Sequence, residues 1–408
     1  MMKKIELLAP AGDLARLKIC VLYGADAIYI GGKSFSLRSR ASNFDLKDIK
    51  EGVEFAHAHG SKVHVTMNIL PHEQDLQGLD EYLLALETIG VDAIIVASPY
   101  IMSRAKQIAP KLEVHVSTQH SSTNSYAAKY WQSKGMDRVV LARECSLKQI
   151  QDACANSDVE IEVFVHGAMC ISYSGRCMLS NHMTLRDANR GGCAQSCRWK
   201  YRMYDGDEAI HDQNDLFSMS SKDLVGARYI PDLIEAGVAS LKIEGRMKSA
   251  YYIATLIKTY RMLIDEYYEK GLSEKRIAYY EQELTKCENR PTAHGFYEGY
   301  PKACDHLYGI NGAGVTQEYI AYVLDYNQET NVATLQVRNN FSSFIEAEIF
   351  GPSIAPTKFE IKEIYDLDGN VMDVARTPMQ IVTIHSPIKM EKDAMIRKIY
   401  VKDRSDIY

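Results

Sequence analysis

Asp45-Leu-Lys-Asp-Ile-Lys-Glu-Gly-Val-Glu-Phe-Ala-His-Ala-His59, then Gly60, then Lys62-Val-His-Val-Thr-Met67 is the stretch that decides the fold. An amphipathic run closes on a glycine and a short β-branched run follows. Glycine tolerates the left-handed conformation that ends a helix. The same order recurs, with Gly24 before a strand-like run at 27–30, Gly90 before 93–96, Gly135 before 138–141 and Gly237 before 240–243. Further runs at 5–8, 113–116 and 160–165 have the length and apolar content of buried parallel strands. Amphipathic stretches at 45–59, 74–89, 122–134 and 147–156 lie between them. Eight such units suit a closed (β/α)8 TIM-like barrel, with an open doubly wound sheet as the runner-up.

The eighth unit is displaced. After the seventh strand comes a Gly- and Ser-rich run without periodicity, then a short polar strand pair around 201–210, and only later the strand at 240–243. The seventh βα loop is therefore expected to be a large insertion at the C-terminal face, where barrels of this kind build their active sites. Two long helices rich in Tyr and Lys are expected at 248–270 and 273–289. From about 312 the pattern changes to strands at 332–337, 343–350, 359–366 and 379–385, with a turn at Asp368-Gly369-Asn370. The expected organisation is a TIM-like barrel over 1–270 carrying a loop at 166–202, a helical connector over 271–311, and a small C-terminal β-barrel domain over 312–408.

The chain has 408 residues, nine cysteines and a net charge of −6. That charge argues against a protein held to nucleic acid by a global field, and leaves room for a local basic groove. With no apolar run of membrane-spanning length and no charged-then-apolar leader, a cytoplasmic protein without a membrane partner is expected. Thiols stay reduced there, so clustered cysteines point to metal more than to a disulfide knot.

Four of the nine cysteines fall in the inserted loop: Cys170, Cys177, Cys193 and Cys197. Neither pair has the two-residue spacing that presents sulfurs to one tetrahedral ion, and larger clusters tolerate longer loops. A 4Fe-4S cluster and a structural zinc both stay open on this evidence. The same loop carries Arg176, Arg186, Arg190, Arg198, Lys200 and Arg202 against one acid, Asp187, with Tyr173, Trp199 and Tyr201 interleaved. Arginines pair phosphates and carboxylates, and aromatics stack on unpaired bases. The alternative role is to neutralise and shield the thiolates.

Glu162-Val-Phe-Val-His166-Gly167-Ala-Met-Cys170-Ile-Ser-Tyr-Ser174-Gly175-Arg-Cys177-Met-Leu-Ser180 closely resembles the signature of the collagenase-like peptidases, peptidase family U-32. Leu8-Ala-Pro10-Ala-Gly12 and Tyr23-Gly-Ala-Asp26-Ala-Ile-Tyr29-Ile-Gly31-Gly32 match as well. So do Arg38 with Asn43-Phe44, Lys242-Ile-Glu244-Gly245-Arg246-Met-Lys248, and Arg290 with Gly295-Phe296. The family's name records a proteolytic claim. The resemblance also implies oxygen-independent hydroxylases with a 4Fe-4S cluster on four cysteines, here Cys170, Cys177, Cys193 and Cys197. One branch hydroxylates the wobble uridine of transfer RNA and depends on prephenate, another acts on ribosomal RNA, and a third hydroxylates the ubiquinone ring and lacks the C-terminal extension. The long form with Gly192-Cys193 and Cys197-Arg198-Trp199 looks most like the transfer-RNA branch.

Strand ends at a barrel mouth point into the active site. By that rule Tyr29, Asn68, Gln119, Arg143, Glu144, His166, Lys242 and Glu244 are candidates, with Glu6, Ser117 and Thr118. His166 is placed to relay a proton or to make a structural hydrogen bond. Arg143, assisted by Lys242, would pair with a carboxylate of a small anionic co-substrate such as prephenate, or sit in a salt bridge with Glu144 or Glu244. Tyr29, Asn68 and Gln119 join Arg176, Arg186, Arg190, Arg198, Trp199 and Lys200 as the expected contacts to substrate or RNA. No Gly-x-Ser-x-Gly elbow or His-Glu-x-x-His helix occurs. The strongest peptidase reading is a Cys170 nucleophile with His166 as its base. The expected function is thus an iron-sulfur RNA hydroxylase, with a U-32 peptidase and an RNA-binding protein with structural zinc as alternatives. The number of chains in the working protein is left open.

Overall fold

The computed structural model describes residues 4–37, 42–210, 216–287, 290–308 and 318–399. Arg38, the end of the predicted helix at 288–289 and residues 309–317, across the predicted domain junction, lie outside them.

Eight parallel strands close into a barrel: β1 (Glu6–Pro10), β2 (Ala27–Gly31), β3 (Lys62–Met67), β4 (Ala93–Val96), β5 (Glu113–Val116), β6 (Arg138–Val140), β7 (Glu160–Gly167) and β8 (Ser240–Ile243). Each pairs with the next. β8 closes the ring by pairing with β7 through Ser240↔Glu162 and with β1 through Glu6↔Ser240. The closed barrel expected from helix, glycine and strand alternation is what forms. The strands are buried on both faces, which is why they read as near-continuous apolar runs. Gly24, Gly60, Gly90, Gly135 and Gly237 all have positive φ, as their place after a helix predicts.

Around the barrel run α1 (Leu14–Leu22), α2 (Leu46–Ala58), α3 (Leu79–Ile89), α4 (Pro99–Ile108), α5 (Ser125–Ser133), α6 (Leu147–Ala155) and α7 (Ile230–Glu235), followed by α8 (Ala250–Lys270) and α9 (Glu274–Thr285). Side-chain caps set several starts: Asp45 bonds Asp48 N, Asn124 bonds Ala127 N, and Ser249 bonds Tyr252 N. The expected helix at 74–89 is broken. Gly78 sits at φ +74 between a 3-10 turn (Glu73–Leu76) and α3.

The barrel interior is unusually charged. Arg138 meets Glu6 at 2.6 Å, Glu160 at 2.8 Å and Glu162 at 3.1 Å, and Lys242 meets Glu162 at 2.6 Å. Burial pushes the Glu162 carboxyl up, but Lys242 and Arg138 outweigh it and hold the group ionised.

Beyond α9 an antiparallel domain forms from β9 (Glu318–Asn327), β10 (Val332–Val337), β11 (Ile345–Phe350), β12 (Thr357–Ile361), β13 (Ile364–Tyr365), β14 (Val371–Met372), β15 (Ile381–His385) and β16 (Met395–Lys398). Their order is β12-β11-β16-β9-β10-β15-β13-β14. The two ends do not pair among the described residues, so the β-barrel takes the form of a half-barrel. Alternating residues such as Val323, Leu335, Ile349 and Ile396 fill its own core. The predicted strand at 359–366 is two strands, and the first and last strands of the domain go beyond the predicted set. The domain is fixed to the barrel by Arg397, whose Nη2 lies 2.8 Å from Glu283 of α9 and whose Nε lies 2.6 Å from Glu348. Tyr251 of α8 stacks on Tyr319 at 5.2 Å. No helix among the described residues is long and apolar enough to cross a membrane.

Candidate functional site

The cysteine loop leaves the C-terminal end of β7 and folds over the barrel mouth in short pieces: 3-10 turns at Tyr173–Gly175, Ala188–Arg190 and Ser196–Arg198, and one helical turn-and-a-half at Leu179–Thr184. It carries an unusual share of left-handed residues without glycine's freedom: Ser174 (φ 50), Leu185 (φ 55) and Gln195 (φ 57). Such positions persist only where the surroundings fix them, and for Ser174 the partner is Glu144. Glu144 accepts from the Ser174 amide at 2.7 Å and from its hydroxyl at 3.1 Å. A side chain at Gly175 would meet the Gln119 amide at 2.5 Å, and one at Gly192 would meet the Asp187 carbonyl at 2.8 Å. The Asn189 side chain brackets Cys177, accepting from its amide at 3.2 Å and donating to its carbonyl at 3.1 Å. Arg190 makes two bonds of 2.7 Å to Asp75, and Leu70 N donates to Asn189 O, stapling the loop to the segment after β3.

These constraints bring Cys170, Cys177, Cys193 and Cys197 onto the wall of one cavity of about 850 Å³, counted out to its open mouth. Gln119, Arg143 and Glu144 line it too. Cys177 is buried, Cys197 half-buried, and Cys170 and Cys193 are exposed. All are free thiols. Among the described residues no three His, Cys, Asp or Glu side chains converge on a single metal ion. The thiols surround a shared space instead of meeting at a point. Zinc needs each sulfur about 2.3 Å from one ion, whereas a cluster with an iron for each thiolate takes sulfurs spread more widely. The protein packed around their sulfurs raises the Cys170 and Cys197 thiols by desolvation, even though Cys170 as a residue reaches solvent, and the neighbouring cysteines add to it. Cationic iron would offset both effects. Two backbone amides already point at sulfur, Gln195 N at Cys193 Sγ (3.4 Å) and Ser172 N at Cys170. The donor set therefore fits a cluster.

The expected basic and aromatic residues divide. Trp199, Lys200, Arg176 and Tyr173 are exposed on the loop that carries the thiols and are not among the residues that line the cavity. Arg176 Nε holds the Gln119 carbonyl at 2.5 Å, and Arg186 holds the Cys193 carbonyl at 3.2 Å. Arg190 is committed to Asp75. Asn68 accepts from Leu37 N at 3.2 Å and orders the loop after β2. Arg143 stacks on the Phe164 ring at 3.8 Å, donates to the Ala168 carbonyl and reaches the cavity. Glu244 lines an adjacent recess.

Four candidates sit elsewhere. Lys242 is buried inside the barrel, paired with Glu162 and 4.5 Å over the Tyr29 ring, and Tyr29 donates to the Ile243 carbonyl. His166 turns away from the mouth. The β7–β8 register jumps from Phe164↔Lys242 to His166↔Ile243, skipping Val165. Such a bulge re-aims the side chain, and His166 packs against α8, 3.2 Å from the Tyr260 hydroxyl. Burial drives its pKa down to about 3. His166 lines neither cavity that Cys170 lines, so no Cys170–His166 dyad is assembled. Glu6, at the opposite end of β1, belongs to the Arg138 network. Conversely, Asn189 and Asp75, which fix the loop, carry no signal in sequence spacing, because their partners are 12 and 115 residues away.

Residues 12–307 match the model of peptidase family U32, and 315–397 match that of the peptidase family U32 C-terminal domain. The tRNA hydroxylation protein P1 of Bacillus subtilis (strain 168) is 48% identical over 404 residues, 97% of this chain and 95% of that protein. The 23S rRNA 5-hydroxycytidine C2501 synthase of Escherichia coli (strain K12) is 40% identical over 268 residues, 65% of this chain and 40% of that protein. A collagenase of Porphyromonas gingivalis (strain ATCC BAA-308 / W83) is 31% identical over 378 residues, 89% of this chain and 90% of that protein. With both family models matched in order along a barrel whose mouth gathers four thiols, the chain belongs to peptidase family U32.

Proposed function

We propose that this protein is an RNA-modifying hydroxylase of the cytoplasm that holds a 4Fe-4S cluster on Cys170, Cys177, Cys193 and Cys197. Its substrate in this reading is the wobble uridine of transfer RNA, hydroxylated without molecular oxygen and with prephenate as co-substrate. The observation that carries the reading is the gathering of four free thiols on one cavity at the barrel mouth. A relative named tRNA hydroxylation protein P1, 48% identical along nearly the whole chain, supports transfer RNA as the substrate class.

When bound, the cluster would supply one-electron redox chemistry. The chain's own residues do the rest. Trp199 and Tyr173, both about half exposed, offer ring faces for unpaired bases on the loop that carries the thiols. Arg176 and Lys200 put positive charge on the same loop for phosphates. Arg143, stacked on Phe164, points a fixed cation at the space beside Cys170. Glu144 keeps the Cys170–Cys177 turn in its left-handed form.

A peptidase draws support from the collagenase relative, but His166 lines neither cavity that Cys170 lines, so the proposed dyad is not formed. An RNA-binding protein with structural zinc is disfavoured by the absence, among the described residues, of three ligands around one ion. Nucleoside analysis of transfer RNA separates the readings. A strain lacking the gene should lose hydroxylated wobble uridine and regain it with the wild-type gene but not with Cys170→Ser. Unchanged uridine hydroxylation in a strain with no second pathway would refute the substrate.

A further inference from the structure

Gln119 lines the thiol-bearing cavity with a fixed main chain and an unengaged side chain. It follows β5 on a 3-10 turn, Thr118–His120. Its amide donates to the Ser117 hydroxyl at 3.2 Å, and its carbonyl accepts from Arg176 Nε in the cysteine loop. Among the described residues these main-chain bonds are all the hydrogen bonds Gln119 makes. The carboxamide lies over bare backbone, since a side chain at Gly175 would come within 2.5 Å of its Nε2.

Other polar groups of the same wall are committed. Thr118 donates to the Leu141 carbonyl, Ser180 donates to the Arg186 carbonyl, and Glu144 holds Ser174. Ser196 is 2% exposed, and its Oγ has no partner among the described residues. It adjoins Cys197, where a hydroxyl can donate to a cluster sulfur. Gln119 stands on a different segment from the cysteines and is neutral, whereas a phosphate would call for a cation.

A carboxamide carries an acceptor and donors side by side. Uracil presents the complement on its pairing edge, with O4 accepting and N3–H donating. Unpaired bases of RNA are recognised by that edge, and enzymes that act on a base take it out of the stack and read it there. A carboxamide whose own main chain is tied at both N–H and C=O is set in place before its partner arrives, which reduces the ordering that binding requires.

We propose that Gln119 determines which base the cavity accepts: its carboxamide donates to O4 and accepts from N3–H of a single uracil unstacked into the space beside the thiols. This rests on the hydroxylase reading and names the residue that recognises its substrate. The ring is held by its pairing edge, and its C5–C6 side is turned away from Gln119 toward the rest of the cavity.

The test is the affinity of the anaerobically purified, full-length chain for two fluorescently labelled transfer RNAs, read by anisotropy. One carries uridine at the wobble position and the other 3-methyluridine, which lacks the N3–H. Wild type should bind the uridine form at least tenfold more tightly, the order of discrimination that a two-bond contact to a base gives. Gln119→Met, which keeps the length of the side chain, and Gln119→Ala should each reduce that ratio to within twofold, through weaker binding of the uridine form. Iron per chain should stay at the wild-type level in both. A tenfold ratio that persists in both variants would overturn the assignment, as would wild type binding the two RNAs alike. Iron lost from both variants would make the side chain a support of the loop and would overturn it as well. Iron content of the unaltered chain and nucleosides of cellular transfer RNA test the hydroxylase reading itself, so the two fail separately.

Discussion

Glu144 accepts from both the amide and the hydroxyl of Ser174, a buried residue at φ 50 in the middle of the Cys170–Cys177 turn. Replacing it with alanine strands a charge-assisted pair of bonds worth about 1.5–3 kcal/mol each at most. Glu144→Ala should therefore retain less than half the wild-type iron per chain after anaerobic purification, with Glu144→Gln between the two. His166 makes a different prediction. Its folded pKa of about 3 lies below the ordinary histidine value of 6.5, so the unfolded chain binds the extra proton first. Stability from this group is whole above pH 6.5 and lost as pH falls toward 3. Between pH 7 and pH 5 the wild-type apoprotein should lose about 2 kcal/mol through it, read by urea denaturation, and His166→Gln should lose correspondingly less. His166 could be read from sequence as the last residue of a buried strand. Its direction could not, because a one-residue bulge reverses the face of every residue beyond it.

At the level of elements, five of the eight barrel strands were legible because each is a short apolar run preceded by a glycine whose left-handed cap is visible in sequence, as at Gly60 before β3. The break at Gly78 was not, since an apolar period runs on through 74–89 and only the φ of +74 divides it. The cysteine loop follows the same rule. Its four thiols stand out by residue type, but the contacts that gather them are long-range and polar. The Arg190–Asp75 pair is the clearest of these. Asp75→Asn removes the charge while keeping the shape, and should speed loss of iron to a chelator several-fold with little change in barrel unfolding. An unchanged rate would show that the staple to the β3–α3 segment does not hold the loop.

Across the whole molecule, the barrel and the half-barrel share one buried ion network. Arg397 is 1% exposed and is held by Glu283 and Glu348, and Lys286 meets Glu348 at 2.9 Å. Removing the guanidinium leaves two buried carboxylates sharing Lys286 alone, a loss of up to about 3 kcal/mol. Arg397→Met should lower the thermal midpoint by several degrees, whereas Arg397→Met with Glu348→Leu should recover part of it. The change from helical to β-rich composition announces the second domain. Its docking surface is silent in the sequence, since an arginine in a terminal strand reads as solvent-facing until its partners are known. The net charge of −6 and the local cations of the cysteine loop also act at this scale. Transfer-RNA affinity should fall steeply with salt, and Lys200→Ala should reduce that slope by about one.

The most direct test of the central claim is the iron and acid-labile sulfide content of the anaerobically purified full-length chain. About four of each per chain, lost together in Cys170→Ser, is the predicted result for one 4Fe-4S cluster on these thiols. A colourless protein with a single zinc, or with four thiols still titratable and no iron, would contradict it.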